Sequence, residues 1–439
     1  VIGGGIAGME AALDVASAGY PVILIERADR LGGKAAQLSG SYLNFNAAPA
    51  LIEKKTRSVA QHSLIQVLTQ AEVRAVTGYV GNFRVVVGGK SRDPAINCCT
   101  RDANRDDDIP VTHEYTFDIG AIVVATGWER YDQALLREYG GGSIPDVVDG
   151  LTFEGMLATG AVRRPSDGKV PREIVFVQCA GSRDPERGVS YCSKVCCMYV
   201  AKQAIRFKEL VRDGQPYVFY IDIRSAGKGY DEYVQRAMEK YKVLYLRGKV
   251  SKVFQEGDHV LVWGADTLSG RAIEIAADMV VLATPMMPSS ESDVLGQRLR
   301  ISTDAYGFYN EAHPKLRPVE TLTAGIFVAG AGQGPKDIPE TVAQASGAAA
   351  KVLQLFSHDE MTQSPMVATV VEELCAGCSA CVEACPYGAR ELHAIREIAT
   401  VNAALCQSCG ACVVACPNKA SQVQNWRPSQ IMAMVDEVI

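Results

Sequence analysis

Apolar residues in this chain arrive in short unbroken runs, each closed by glycine or an acidic residue and followed by helical spacing. Val1-Ile2 runs into Gly3-Gly4-Gly5-Ile6-Ala7-Gly8, and a helical pattern continues through Ala11, Leu13 and Ala16 to Gly19. Pro21-Val22-Ile23-Leu24-Ile25 then forms a second run ending at Glu26. Runs of this length between turn residues predict buried strands alternating with helices. The pattern returns from Asp118 to Ala125-Thr126-Gly127, at Glu173 to Gln178, at Asp278 to Pro285, and at Gly325 to Gly330. An α/β fold follows. Residue 1 already lies inside an apolar run and is not Met, so the chain is expected to begin within a longer one.

The first glycine loop has the G-x-G-x-x-G spacing of a dinucleotide fingerprint. Gly3 allows a tight turn, Gly5 lets a pyrophosphate approach the backbone, and Gly8 lets helix and strand pack closely. The helix N-terminus faces the phosphate, and Glu26 is placed for the ribose hydroxyls. A lone glycine pattern would also fit any tight strand–helix turn, but here both strands and the acidic residue are in register. Arg30-Leu31-Gly32-Gly33-Lys34 adds a second glycine loop just after the acidic strand, which favours FAD over NAD. This order resembles the disulfide-reductase and thioredoxin-reductase class of flavoproteins, where a split FAD domain encloses a second nucleotide-binding domain. The resemblance implies FAD-binding parts at 1–128 and 286–356, an inserted α/β domain at 129–285, and a linker with a small module at 357–439.

Composition narrows the class. The 439 residues are 48% hydrophobic and 21% charged, which describes a multidomain globular chain and excludes wholesale disorder. A net charge of −6 gives no basic excess for nucleic acid. No apolar run reaches the roughly 18 residues needed to cross a bilayer, so no membrane span is expected. Fourteen cysteines, clustered like metal ligands, indicate iron–sulfur chemistry in a reducing compartment, read as the cytoplasm.

The inserted domain departs from its class. Its first strand runs into Cys179-Ala180-Gly181-Ser182-Arg183-Asp184, with cysteine where the first glycine of a nicotinamide loop would stand. Tyr191-Cys192-Ser193-Lys194-Val195-Cys196-Cys197-Met198 is expected to open a helix reaching about Leu210. On that helix Cys192 and Cys196 would share a face, with Cys197 about 100° round the axis. Four thiolates from Cys179, Cys192, Cys196 and Cys197 could then converge on one cubane, offset by the helix dipole, Lys194 and Arg183. Small buried cysteines that merely pack the helix, a dithiol pair and a zinc site are the alternatives. The absence of C-x-x-C from the insert and the neighbouring flavin weigh against the last two.

Cysteines also dominate the C-terminal module. Cys375-x2-Cys378-x2-Cys381-x3-Cys385-Pro386 recurs as Cys406-x2-Cys409-x2-Cys412-x3-Cys416-Pro417. This is the bacterial two-cluster ferredoxin pattern, in which the fourth cysteine of each run serves the other cluster. One quartet is therefore Cys375, Cys378, Cys381 and Cys416, and the other Cys406, Cys409, Cys412 and Cys385. Gly377 and Gly410 let amides approach the sulfurs. With the insert, twelve of fourteen cysteines make three [4Fe-4S] clusters.

The residues around the insert cysteines make the chain resemble the A-type subunit of heterodisulfide reductase. So do Asp222-Ile223-Arg224-Ser225-Ala226-Gly227-Lys228-Gly229-Tyr230, Ala312-His313-Pro314-Lys315-Leu316-Arg317-Pro318, and Gln333-Gly334-Pro335-Lys336-Asp337-Ile338-Pro339-Glu340-Thr341-Val342-Ala343-Gln344. The resemblance implies FAD, several [4Fe-4S] clusters and flavin-based electron bifurcation. It further implies B/C-type partner subunits, a hydrogenase or other electron-input subunit, ferredoxin, and a homodimer within a larger assembly. The FAD positions it implies are Gly3, Gly5, Ile6, Ala7, Gly8, Glu26, Arg27, Gly32, Gly33, Lys34, Val73, Ala125, Thr126, Gly127, Gly330, Lys336, Asp337 and Ile338. The long methanogen-type version has a cysteine pair where this chain reads Asn44-Phe45-Asn46-Ala47-Ala48-Pro49. Its inserted ferredoxin is reduced here to a polar loop from Lys90 to Thr116, so Cys98 and Cys99 are read as loop remnants, with a site completed by a partner chain as the alternative.

Pro339 suits the first turn of a helix through Val342, Ala345 and Ala349, with Asp337 as its cap. Lys336 is expected beside the flavin, tuning its potentials, or else as a surface lysine on a turn. The tail from Trp426 to Ile439 reads as an amphipathic helix with Ile431, Met434, Val435 and Ile439 on one face, packed on its own domain or docked on a partner. A stand-alone NAD(P)H-dependent disulfide reductase and a non-catalytic scaffold are the competing functions.

Overall fold

A computed structural model describes residues 1–43, 48–89, 113–358, 360, 366–426 and 428–438. Cys98, Cys99 and Asn44 to Ala47 lie outside the described residues. The N-terminal core is a parallel sheet in the spatial order Ile65–Leu68, Val22–Ile25, Ile2, Ile122–Val124, Ile326–Val328. Helices Ile6–Ser17 and Ile338–Phe356 pack on one face through Met9, Ala12, Ala345 and Ala349. An antiparallel meander of Ala71–Tyr79, Asn82–Gly89 and His113–Ile119 closes the other face through Val85, Val87 and Leu68.

Two expectations change here. The run from Asp118 to Gly127 is not one strand: Asp118 and Ile119 end the meander, and only Ile122–Val124 joins the parallel sheet. The break falls at Gly120, where a Cβ would stand 2.7 Å from the Phe356 ring, so the chain turns where no side chain fits. The polar loop also ends earlier, because His113 to Thr116 already pair with Val86–Gly89.

The insert repeats the plan. Five parallel strands run in the order Leu244–Arg247, Gln215–Tyr220, Glu173–Val177, Met279–Leu282, Val147–Asp149. Helices Gly150–Ala158, Cys196–Leu210 and Tyr230–Glu239 cover one face, and a meander of Val250–Glu256, His259–Asp266 and Arg271–Ala277 covers the other. Glu129–Arg130 pairs antiparallel with Met286–Met287 where the chain passes between the two sheets.

In the C-terminal module Ala368–Val370 pairs with Ser421–Val423, and Arg390–Leu392 with Ala399–Val401. Short helices Ala380–Glu383 and Ala411–Val414 lie within the two cysteine runs and carry Cys381 and Cys412. The tail forms helix Pro428–Val438, and Ile431, Met434 and Val435 on its apolar face are 40%, 70% and 43% exposed among the described residues. Ile439 lies outside the described residues. Among the described residues no helix is long and apolar enough to cross a membrane.

Candidate flavin and iron–sulfur sites

A cavity of about 1250 Å³ opens at the carboxyl ends of the first sheet, between it and the insert. Its floor is the uncapped N-terminus of Ile6–Ser17: Gly5 provides no side-chain cap, and Gly5, Ile6 and Ala7 all line the cavity. Free N–H groups at a helix N-terminus are an anion site. A Cβ on Gly5 would meet nothing within 4 Å, whereas one on Gly8 would fall 1.8 Å from the Gly3 carbonyl oxygen. Gly3 itself holds φ +107° against the backbone of Ala125. Glu26 accepts from Gly4 N at 2.6 Å and Ala28 N at 2.7 Å, which fixes its carboxylate at the cavity wall.

The second loop packs on the first, with Gly32 N donating to Gly4 O at 2.9 Å. Gly33 and Lys34 line the cavity, and the Lys34 ammonium sits 5.5 Å from the centre of the Trp128 ring. Arg27 lines it too, held by Glu129 at 3.3 Å and Glu291 at 3.4 Å. Ala125, Thr126 and Gly127 form the next stretch of wall, where the buried Thr126 hydroxyl faces that of Tyr309. A dinucleotide fits this donor set: an uncapped helix for phosphate and a fixed carboxylate for ribose. Substituting Gly8→Ala is expected to cost about 3 kcal/mol or more by overpacking the turn. Flavin absorbance and thermal melting of the purified chain would show it.

Three of the implied FAD positions lie off the wall. Gly8 and Gly330 pack helix against sheet; a Cβ on Gly330 would come 2.8 Å from that of Ala7. Val73 is buried, and its carbonyl accepts from Arg298 at 2.7 Å. Lys336, Asp337 and Ile338 do line the cavity. Asp337 caps its helix by accepting from Glu340 N at 2.9 Å, and accepts from the Tyr230 hydroxyl at 2.5 Å. Lys336 is half-buried and donates to Gln333 Oε1 at 2.6 Å, and burial pulls its pKa down to about 8.

Sequence reasoning passed over the opposite wall. Lys202 and Glu154 are each 2% exposed and pair at 2.7 Å, and both line the cavity. Lys202 also donates to Gly40 O at 2.9 Å. Glu154 accepts in addition from Ser39 N, Ser39 Oγ and Gln203 Nε2. The signal was present, because Lys202-Gln203 interrupts the otherwise apolar run Val200-Ala201 to Ala204-Ile205.

The insert cysteines meet at the rim of this cavity. Cys179, Cys192, Cys196 and Cys197 lie close enough for their charges to act on one another. Burial raises all three thiols for which a shift is resolved, Cys197 up to about 11, which favours the neutral thiol wherever no metal takes the place of the proton. The route to this convergence differs from the expected one. The helix starts at Cys196, and Cys192 lies before it in a bent segment with Lys194 at φ +63°. Ser193 causes the bend, its buried hydroxyl accepting from Met286 N at 2.9 Å. Lys194 N consequently points at Cys192 Sγ, 3.2 Å away. Cys179 takes φ +57°, a left-handed backbone where the class has glycine.

The cysteines reach the cavity through residues of its wall. Cys196 Sγ donates to Thr284 O at 3.9 Å, and the Tyr199 hydroxyl bonds to Cys196; Thr284 and Tyr199 both line the cavity. Lys194 pairs with Glu340 on the first turn of Ile338–Phe356, which ties the cysteine loop to the opposite wall.

In the C-terminal module Cys375, Cys378, Cys381 and Cys416 line one small cavity. Cys385, Cys406 and Cys409 act together on Cys412. The backbone supplies left-handed positions at Gly377 and Ser379 in the first run and at Ser408 and Gly410 in the second. Amides reach the sulfurs: Ala399 N to Cys375 at 3.4 Å, Ala389 N to Cys385 at 3.3 Å, Ala368 N to Cys406 at 3.3 Å. Against the burial that would raise it, hydrogen bonds from Ser421, Ala420 and Asn418 hold the Cys416 thiol below its usual value. Among the described residues no three His, Cys, Asp or Glu side chains close to single-ion spacing. Thiolates bound to four separate irons stand further apart than those on one ion.

Comparisons with known proteins define the class. Residues 1–78 match the family model of an FAD binding domain, and residues 374–420 that of a 4Fe-4S dicluster domain. The thioredoxin reductase of T. acidophilum shares the fold, with a TM-score of 0.51 at 17% identity over 81% of this chain and 97% of that one. That of Lactococcus lactis aligns with a TM-score of 0.50 at 17% identity, covering 81% and 97%. The chain is thus an FAD- and iron–sulfur-binding oxidoreductase component on a thioredoxin-reductase-like frame.

Its relatives are more specific. It is 36% identical to the A-type subunit of the H2:CoB-CoM heterodisulfide, ferredoxin reductase of Methanothermobacter marburgensis, over 89% of this chain and 68% of that protein. Identity is 37% to the second A-type iron–sulfur subunit of the CoB–CoM heterodisulfide reductase of Methanopyrus kandleri, covering 89% and 69%. It is 36% to the corresponding A-type subunit of Methanocaldococcus jannaschii, covering 100% and 77%. The chain belongs to the family of heterodisulfide reductase A-type subunits.

Proposed function

We propose that this chain is the flavin-centred electron hub of a heterodisulfide-reductase-like complex, carrying FAD and three [4Fe-4S] clusters and dividing or relaying electrons between partner subunits. B/C-type subunits and an electron-input subunit such as a hydrogenase are the proposed partners, with ferredoxin as a low-potential acceptor and a homodimer as the core of the assembly. The observation that carries this reading is the contact of Cys196 with Thr284 and Tyr199 on the cavity wall. Bound FAD supplies the interchange between two-electron and one-electron chemistry that amino acids lack.

The chain's own residues do the rest. The glycine loop and the helix behind it hold the pyrophosphate, and Glu26 takes the ribose hydroxyls. Cys179, Cys192, Cys196 and Cys197 hold a cluster at the position where the class grips a nicotinamide coenzyme. Asp337 fixes the first turn of Ile338–Phe356, whose N-terminus favours negative charge at the cavity. A stand-alone NAD(P)H-dependent disulfide reductase is disfavoured, because the strand Glu173–Val177 opens onto cysteine instead of a glycine turn. The test is anaerobic preparation of the loaded chain with iron and flavin counted and NADPH mixed in by stopped flow. About twelve irons and no rapid bleaching support the hub; about eight irons with rapid bleaching by NADPH alone overturn it.

Lys336 adds a pH dependence. With its value lowered to about 8, it is a cation at neutral pH and loses its charge as pH rises through 8. The fold therefore disfavours that cation, and this cost to stability is relieved between pH 8 and the unperturbed 10.5. A cation on the cavity wall raises the flavin potential. We expect that potential to fall more steeply above pH 8 in the parent than in Lys336→Ala. Unchanged flavin potentials and turnover in Lys336→Ala would remove Lys336 from the site.

A further inference from the structure

Close to the two cysteine quartets of the C-terminal module lies a buried cation that has no counter-ion among the described residues. Arg390 opens the strand Arg390–Leu392 and is 3% exposed. No carboxylate lies within 4 Å of it among the described residues. One guanidinium nitrogen, Nη2, donates to Ser421 Oγ, while Nε and Nη1 are buried without partners. A buried charge of this kind is expensive unless something compensates it.

What surrounds it supplies the compensation. Arg390 is the cation that acts on Cys412, in the quartet with Cys385, Cys406 and Cys409. Ser421, which accepts from Arg390, lines the cavity of the other quartet and bonds to Cys416. One guanidinium thus acts on both quartets, through its charge on the Cys412 side and through a hydroxyl on the Cys416 side. A [4Fe-4S] core with four thiolates carries net negative charge that grows on reduction, and hydrogen bonds and nearby cations set its potential.

We propose that Arg390 is the shared counter-ion of the two C-terminal clusters, a positioning residue that holds both reduction potentials up and links them, with Ser421 as its arm towards the Cys416 side. This rests on the dicluster reading of the module, not on the insert cluster or on bifurcation. Each single electron entering either cluster from an external reductant adds negative charge beside the same guanidinium. The second cluster is then harder to reduce than the first, because the cation is already partly neutralised.

The test is a dithionite titration of the full, cluster-loaded chain followed by electron paramagnetic resonance, with apo-chain melting as a second readout. In Arg390→Gln and Arg390→Met the reduced-to-oxidised ratio of both clusters at fixed potential should fall at least tenfold, about 59 mV for a one-electron couple. Arg390→Lys keeps the charge and should recover most of that shift. Ser421→Ala should move the Cys416-side cluster more than the other. The apo chain of Arg390→Met should melt no lower than the parent, because the orphaned donors are gone, while the loaded chain loses stability.

Ratios within twofold of the parent in Arg390→Gln and Arg390→Met would overturn the proposal. So would an Arg390→Lys chain as shifted as Arg390→Gln, or an apo Arg390→Met chain that melts well below the parent. Should the neutral variants fail to load, the Ser421→Ala titration decides: a shift confined to the Cys416-side cluster supports the proposal, and none refutes it.

Discussion

A chain carrying Cys196→Ser and Cys197→Ser is expected to purify with its flavin and about eight of about twelve irons, and to lose electron exchange between flavin and acceptors at least a hundredfold. Both thiols are buried at the start of the helix Cys196–Leu210, and serine there cannot hold iron as a thiolate does. The glycine loop that grips FAD lies on another sheet and is untouched. The eight cysteines of the C-terminal module share no residue with this quartet, so the paramagnetic signals of the dicluster should persist. Iron analysis, the flavin spectrum and low-temperature resonance together distinguish the outcomes. Full iron content in the double variant would show that Cys196 and Cys197 do not hold a cluster; loss of flavin along with the iron would make the cysteines structural.

The second large effect concerns the wall opposite Lys336. Removing the charge of Lys202 leaves Glu154 buried with only Ser39 and Gln203 to satisfy it. Breaking a buried pair on one side typically costs 3–5 kcal/mol, so Lys202→Met should lower chain stability by about 4 kcal/mol. Replacing both partners by neutral groups leaves no stranded charge, so Lys202→Met with Glu154→Gln should recover most of the loss. Chemical unfolding of the apo chain measures this term free of cofactor. In the loaded chain the single variant leaves a carboxylate at the cavity wall with no cation, which should lower the flavin potential. Equal destabilisation by the single and double variants would mean that packing, not charge, is what Lys202 contributes.

Several parts of the molecule were legible because their cause is local. The glycine loops depend on left-handed or crowded backbone at Gly3, Gly8 and Gly32, and no other residue tolerates those positions. The C-terminal repeat is equally direct, since ligand spacing and left-handed turns recur within each run. Misreadings arose where distant contacts override local pattern. Helical spacing from Cys192 onwards suggested a longer helix than exists, because nothing nearby in sequence reveals that Ser193 will bond to Met286. The apolar run after Asp118 reads as one strand until Phe356 is seen to occupy the space beside Gly120. The tail helix formed, and its apolar face is exposed among the described residues.

Sequence alone determined the class of fold, the flavin, the dicluster module and the family, because each depends on backbone conformation or ligand spacing over a few residues. Only the tertiary structure decided what stands beside what. It set Cys196 against the cavity wall, paired Lys202 with Glu154 across two helices, and bonded the buried Arg390 to Ser421 beside the cysteine quartets. Charge and electron transfer act through space over a few ångströms, while sequence orders residues only along the chain.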